Sequence, residues 1–239
     1  MSNMFIIQKI KIKLKYIIIF FTYSLLGDHM KKIIISILLC LISLTINVNE
    51  MNQNSNKIII DPGHGGTDSG ASVGDIEEEE LNLEISLRLK KIFEDNGYVV
   101  DLTRYDNESL CDGKFIKKED MNKRINKINS NNYIACISIH QNIFSDHQYK
   151  GSQVFYYDNE ISKKIAENIQ FSMNNYLKNS NRKAMKKENN YILKRVTIPM
   201  VLIECGFMSN EEELNNLRSY EYQVKLVYSI YLGFSKAII

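Results

Sequence analysis

The sequence predicts an α/β fold: a single domain on a largely parallel, twisted sheet of about six strands with helices on both faces. Two observations carry this expectation. Short runs of branched apolar residues alternate with stretches whose apolar residues recur at helical spacing, as in layered α/β domains. The 239 residues, 44% of them apolar, can bury one good-sized core and leave little room for a second.

The elements follow in chain order. "KIIID", from Lys57, is a short continuous apolar strand of the kind buried on both faces. "EELNLEISLRLKKIFEDNG" places Leu81, Ile85, Leu89, Ile92 and Phe93 on one helical face, with Gly97 as its stop. "YVVDLTR" is the next strand. Residues 119–129 read as a polar helix with Met121, Ile125 and Ile128 inward, followed by the strand "YIACISIH". "GSQVFYY" is a further strand, and Ile161, Ile165, Ile169, Met173 and Tyr176 mark the long helix after it. "NYILK" and "IPMVLIECGF" are expected as two more strands before a C-terminal helical stretch containing "YQVKLVYSIYLGF".

The first fifty residues are of another kind. "MKKIIISILLCLISLTIN" from Met30 has a short basic start and an apolar run, so residues 30–48 read as a signal peptide or membrane anchor. Residues 49–56 form a polar spacer, and residues 57–239 are the exported, extracytoplasmic domain. Residues 1–29 hold a second, interrupted apolar stretch and read as an upstream extension, with translation starting at Met30. A formal charge of +2, with acids interleaved among the lysines, excludes nucleic acid as the main partner. Cys40, Cys111, Cys136 and Cys205 have no paired spacing, so no disulfide framework is expected.

In open parallel sheets, ligands gather beyond the carboxyl ends of the strands. Those ends carry His64, in "DPGHGGTDSGA", His140, closing "YIACISIH", and Glu204, late in "IPMVLIECGF". The glycines around His64 match neither a dinucleotide fingerprint nor a P-loop. A fourth candidate lies in the acids Glu77 to Glu80, which also suit a helix N-terminus for electrostatic reasons alone. Two histidines and a carboxylate form a common catalytic zinc set, with a further carboxylate to carry protons. Glu204 suits the latter role because an unpaired charge in an apolar strand is costly; a buried salt bridge is its alternative. Neither histidine has H-E-x-x-H spacing.

Taken together, "IIIDPGHGGTDSGA", "EEEELNLEISLRL", "TR", "YIACISIHQN" and "IPMVLIECGFMSNEEE" resemble the zinc-dependent N-acetylmuramoyl-L-alanine amidases of bacterial cell walls. The resemblance runs from about Lys57 to the C-terminus, and within the family the domain looks like the germination-specific spore-cortex amidases. It implies one zinc ion held by His64, Glu78 and His140, with Glu78 fixed by counting back from Leu83, and Glu204 as the catalytic glutamate. Asn142 is implied near the site. Cys205 stands where the family more often has a small or aliphatic residue, and strand alternation turns it away from Glu204.

The implied reaction is hydrolysis of the amide between N-acetylmuramic acid and L-alanine in peptidoglycan, as the first step to muramic-δ-lactam in spore cortex. Arg104, Arg124 and Arg195 are candidates to meet the stem-peptide carboxylates. An accessory spore-envelope protein aiding zinc binding or activity is a further expected partner. Two other classes share the same residues: a zinc peptidase acting within the stem peptide, and a partner-dependent or inactive wall-binding scaffold.

Overall fold

The computed structural model describes residues 27, 28, 30–37, 39 and 56–238. The chain divides into two units, Met1–Asn52 and Gln53–Ile239. In the first, residues 28, 30–37 and 39 are helical; most of the extension and the apolar segment, Cys40 included, lies outside the described residues. Among the described residues no helix is long and apolar enough to cross a membrane.

The second unit is the expected α/β domain. Its strands are β1 (Lys57–Pro62), β2 (Ser72–Val73), β3 (Ile76–Glu77), β4 (Val99–Leu102), β5 (Ala135–Asn142), β6 (Gln153–Tyr156), β7 (Met185–Lys186) and β8 (Met200–Phe207). Its helices are α1 (Glu78–Asp95), α2 (Lys117–Asn129), α3 (Glu160–Leu177), α4 (Glu211–Leu217) and α5 (Tyr220–Ile238). Six strands form the main sheet in the order β4-β1-β5-β8-β6-β7, and β2 and β3 pair as a separate hairpin. All main-sheet pairs are parallel except β6 with β8.

Strand alternation sorts the core. Ile58, Ile60, Ile137, Ile139, Ile203 and Cys205 face one side, where Leu81, Ile85 and Phe93 of α1, Ile165 and Ile169 of α3, and Leu226 and Phe234 of α5 cover them. Ile59, Cys136, Met200 and Leu202 face the other side, with Ile128 of α2, Tyr133 and Leu193. Helices therefore cover both faces, unequally. Followed toward the carboxyl ends, the second face presents Asp61, Ser138, His140 and Glu204.

Two elements differ from the sequence reading. "NYILK" is no strand: the Asn190 side chain accepts from the Ile192 and Leu193 amides, and this Asx cap curls residues 191–195 into turns. The sixth main-sheet strand is instead Met185–Lys186. In α3 the inward residues are Ile165, Ala166, Ile169 and Met173, whereas Ile161 and Tyr176 are exposed. Gly233 of α5 lets the Ile169 backbone approach at the middle of the helix, and near its end Tyr176 stacks edge-on against Tyr228 of α5 at 5.8 Å. Gly97 does end α1, with φ of 86°.

Candidate metal centre

His64, Glu78 and His140 converge at the carboxyl edge of β1 and β5, and their ligand atoms all lie within 4.8 Å of one another. Three different devices bring them there. His140 is the sixth residue of β5 and points up the second face. Glu78 opens α1, directly after the β2–β3 hairpin, so its position depends on how that hairpin folds back. The Glu78 amide donates to Ala71 O, and the Ala71 amide donates to Glu78 Oε2 at 2.9 Å. His64 sits in the loop after β1, in left-handed backbone at φ of 62°.

That conformation costs a non-glycine residue about 1–3 kcal/mol. Two buried arginines hold it. Arg124 donates Nη1 to Pro62 O at 2.6 Å and Nη2 to His64 O. Arg104 donates Nε to Pro62 O at 3.1 Å and Nη2 to Gly63 O at 2.9 Å. Hydrogen bonds from charged donors contribute about 1.5–3 kcal/mol each, so the clamp outweighs the strain. Arg124 is in turn neutralised by Asp61, at 2.9 Å, and Asp120, at 2.6 Å, all three buried. Burial pushes the Asp61 carboxyl up, but the Arg124 charge and hydrogen bonds from Thr103 and Ser138 prevail and hold it below the ordinary carboxylate range.

The glycines supply clearance. A Cβ on Gly63 would collide with the His140 ring, and one on Gly70 would lie 2.5 Å from Glu78 Oε2 and 2.8 Å from His64 Cδ2.

The donor set fits a tetrahedral metal. Ligands about 2.0–2.1 Å from a zinc ion stand about 3.3 Å from each other. His140 Nδ1 is 3.1 Å from Glu78 Oε1, and His64 Nε2 is 3.4 Å from Glu78 Oε2. Burial pushes the Glu78 carboxyl up, but the two imidazoles prevail and hold it far below the usual range. Burial lowers the affinity of His64 for a proton, yet Glu78 and Asp68 more than reverse this. Asp68 Oδ2 lies 3.0 Å from His64 Nδ1, near in distance though out of line for a hydrogen bond.

Behind the ligands runs a network that sequence reasoning missed. Asn82, one turn along α1, donates to Glu78 Oε1 at 3.2 Å and bridges to Gly63 O at 3.2 Å. The Gln141 amide donates to Glu78 Oε1 at 3.0 Å, and its side chain donates to Asn82 Oδ1. Such outer partners orient ligands and tune their basicity. The only sequence signal was the polar Asn82 among the apolar positions of an otherwise amphipathic helix.

Of the four acids at 77–80, Glu78 faces the histidines, Glu79 is buried near Arg104, and Glu80 is exposed. Glu204 stands directly across from His140 in the β5–β8 register. Its side chain is 13% exposed, Lys187 Nζ approaches Oε1 to 3.8 Å, and Oε2 is buried without a partner. Burial pushes this carboxyl up, with partial relief from His140 and Lys187. A carboxylate beside a metal-competent triad, its affinity for a proton raised by burial, is suited to carry a proton. Cys205 points into the opposite core, and burial drives its thiol pKa upward. Asn142 closes β5, with its side chain accepting from the Ile143 amide. The expected substrate-binding role of Arg104 and Arg124 gives way to the clamp, since both guanidiniums are buried and paired with backbone and acids.

A narrow cleft of about 130 Å³ runs beside the triad, lined by His64, His140, Asp68, Lys117, Tyr191 and Ile192 among others. A larger apolar groove of about 590 Å³ along Val73, Ile143, Phe144 and Met208 contains none of the three ligands.

A family model described as N-acetylmuramoyl-L-alanine amidase matches residues 58–236. The germination-specific N-acetylmuramoyl-L-alanine amidase of Bacillus subtilis is 37% identical over 186 residues, covering 75% of this chain and 78% of that protein. The N-acetylmuramoyl-L-alanine amidase LytC of the same organism is 29% identical, over 79% of this chain and 38% of its own length. Among solved structures, the CwlD amidase of Clostridioides difficile, determined in complex with the GerS lipoprotein, superposes with a TM-score of 0.72. It is 36% identical and covers 76% of this chain and 98% of that one. With the match spanning nearly all of the second unit, the chain belongs to the N-acetylmuramoyl-L-alanine amidase family.

Proposed function

We propose that the chain hydrolyses the amide joining the lactyl group of N-acetylmuramic acid to L-alanine in peptidoglycan, using one zinc ion held by His64, Glu78 and His140. The observation that carries this reading is the convergence of those three side chains with Glu204 across one register pair. A zinc ion in such a site polarises a carbonyl and lowers the pKa of water to about 7. Glu204 takes a proton from the attacking water through its unpartnered Oε2 and returns it to the departing L-alanine nitrogen. Water adds to the lactyl carbonyl carbon, the C–N bond breaks, and a carboxylic acid and a free amine result. Asn82 and Gln141 keep the Glu78 carboxylate turned toward the histidines throughout.

The germination-specific relative supports a role in germination; the wall concerned is then the spore cortex, and this cleavage the first step toward muramic-δ-lactam. Cell-wall relatives also support extracytoplasmic action, with residues 30–48 as export signal or anchor and residues 57–239 as the catalytic domain. The lipoprotein bound to the clostridial relative supports an accessory envelope protein as partner, with aid to zinc binding or activity as its proposed role. The test is mass spectrometry of the soluble products after zinc-loaded protein meets purified peptidoglycan, beside a Glu204→Gln variant. Release by the wild type alone of intact stem peptides with a free L-alanine amine is expected. Fragments cut between stem residues would instead make the chain a peptidase.

A further inference from the structure

Two of the three arginines first suited to the stem-peptide carboxylates, Arg104 and Arg124, are committed elsewhere. Arg104 and Arg124 form the buried clamp, and the Arg195 guanidinium lies 3.7 Å from the centroid of the Tyr191 ring while donating to Tyr191 O. A different cation stands at the reacting edge. Lys187 follows β7, its amide donates to Tyr156 O, and its ammonium sits 4.3 Å from the centroid of the Phe155 ring. Phe155 is the register partner of Leu202, two residues before Glu204 on the same face. The Lys187 ammonium thus reaches Glu204 Oε1 at 3.8 Å with its side chain still 38% exposed. Lys186 is already paired with Asp158 and Glu188. Among the described residues, Glu204 is the acid in ion-pair range of Lys187.

Direction follows from chemistry, and this step rests on the amidase reading. Glu204 returns its proton to the leaving nitrogen, so the peptide half of the substrate departs past Glu204 and the glycan half lies on the other side. A proton donor works within about 3 Å of its acceptor and the two carboxylate oxygens are about 2.2 Å apart, so the Lys187 ammonium, 3.8 Å from Oε1, lies within about 9 Å of that nitrogen. The first free carboxylate of the stem belongs to the residue after L-alanine, one Cα step of about 3.8 Å further on, at a comparable reach. A flexible, partly exposed ammonium seated on an aromatic face is well placed to turn from one carboxylate to another.

We propose that Lys187 is a specificity-determining residue: on binding, it leaves Glu204 and pairs with the α-carboxylate of the second stem-peptide residue. The exchange also frees Glu204 Oε1.

The experiment measures kcat and KM of the zinc-loaded full chain on two muramoyl-peptide fragments that differ only in that carboxylate, free in one and amidated in the other. For the wild type, amidation should raise KM about tenfold with kcat changed by less than about threefold, the loss of one charge-assisted bond. Lys187→Met keeps the stem over Phe155; it should show the same rise on the free acid and no further rise on the amide. Lys187→Arg should retain most of the preference. Equal KM for both fragments in the wild type overturns the assignment, as does a Lys187→Met variant that loses kcat alike on both. Because the amidated fragment tests the wild type directly, a poorly folded variant does not rescue the idea. Cleavage of neither fragment takes the amidase reading down with it, whereas cleavage of both without discrimination removes Lys187 alone.

Discussion

Arg124 donates through Nη2 to the carbonyl oxygen of His64, a non-glycine residue held in left-handed backbone at the metal centre. A side chain on α2 thereby fixes the backbone that aims a ligand in the loop after β1. The guanidinium is fully enclosed, and Asp61 and Asp120 would be left without their cation in its absence. Arg124→Ala should therefore destabilise the domain by about 3–5 kcal/mol, the usual cost of orphaning a buried charge. Zinc affinity should fall about 10–100-fold as His64 loses its support. Urea unfolding and zinc titration of the same samples check both; a variant that unfolds early yet binds zinc normally would separate Arg124 from the metal site.

Asp61 makes the clamp sensitive to acid. Its folded-state pKa is held below the unfolded value of about 3.9. The stabilisation is therefore present in full above about pH 4 and is lost as pH falls through the folded value. The unfolding midpoint of the wild type should drop below pH 4, while Asp61→Asn, already weaker at pH 6, should change less over that window. Parallel pH curves for the two proteins would count against the role given to Asp61.

Much of this was legible in the sequence, and the remainder failed for identifiable reasons. His64, His140 and Glu204 could be found because strand ends are where an α/β sheet presents ligands, and strand periodicity sets their common face. Cys205 was excluded by the same alternation. Glu78 was harder: four consecutive acids suit a helix N-terminus equally, and only the fold-back of the β2–β3 hairpin distinguishes them. Arg104 and Arg124 were read as substrate contacts because arginine is usually exposed and burial depends on tertiary packing. "NYILK" has a strand's composition, but the side chain of Asn190 offers the backbone a local alternative.

Glycine substitutions distinguish clearance from backbone freedom. Gly63→Ala places a methyl against the His140 ring, and Gly70→Ala places one against Glu78 and His64. Both should weaken zinc binding by at least about tenfold, as for disturbed outer support of a ligand. Gly74 has φ of 59° but open space around its Cβ position. Gly74→Ala should cost about 1 kcal/mol through its backbone alone and leave zinc affinity unchanged. Calorimetric zinc titrations of the three variants compare them directly, and equal affinity loss in all three would show that the loop responds to strain and not to clearance.

Adjacent residues on β8 should separate chemistry from packing. Glu204 faces the metal centre and Cys205 the core under the helices, because successive strand residues point to opposite sides. Glu204→Gln keeps the shape but removes the proton acceptor, so kcat should fall about 10²–10⁴-fold while zinc still binds. Cys205→Ala removes one buried sulfur from a packed core, so it should lower the unfolding free energy by about 1 kcal/mol and leave kcat near that of the wild type. Thiol alkylation of the native protein should likewise spare activity, since the buried thiol pKa is raised and few thiolates form. Steady-state rates at saturating zinc and denaturant midpoints decide the matter. A Cys205→Ala protein that folds normally and is inactive would place the thiol in the reaction and overturn the division of labour along this strand.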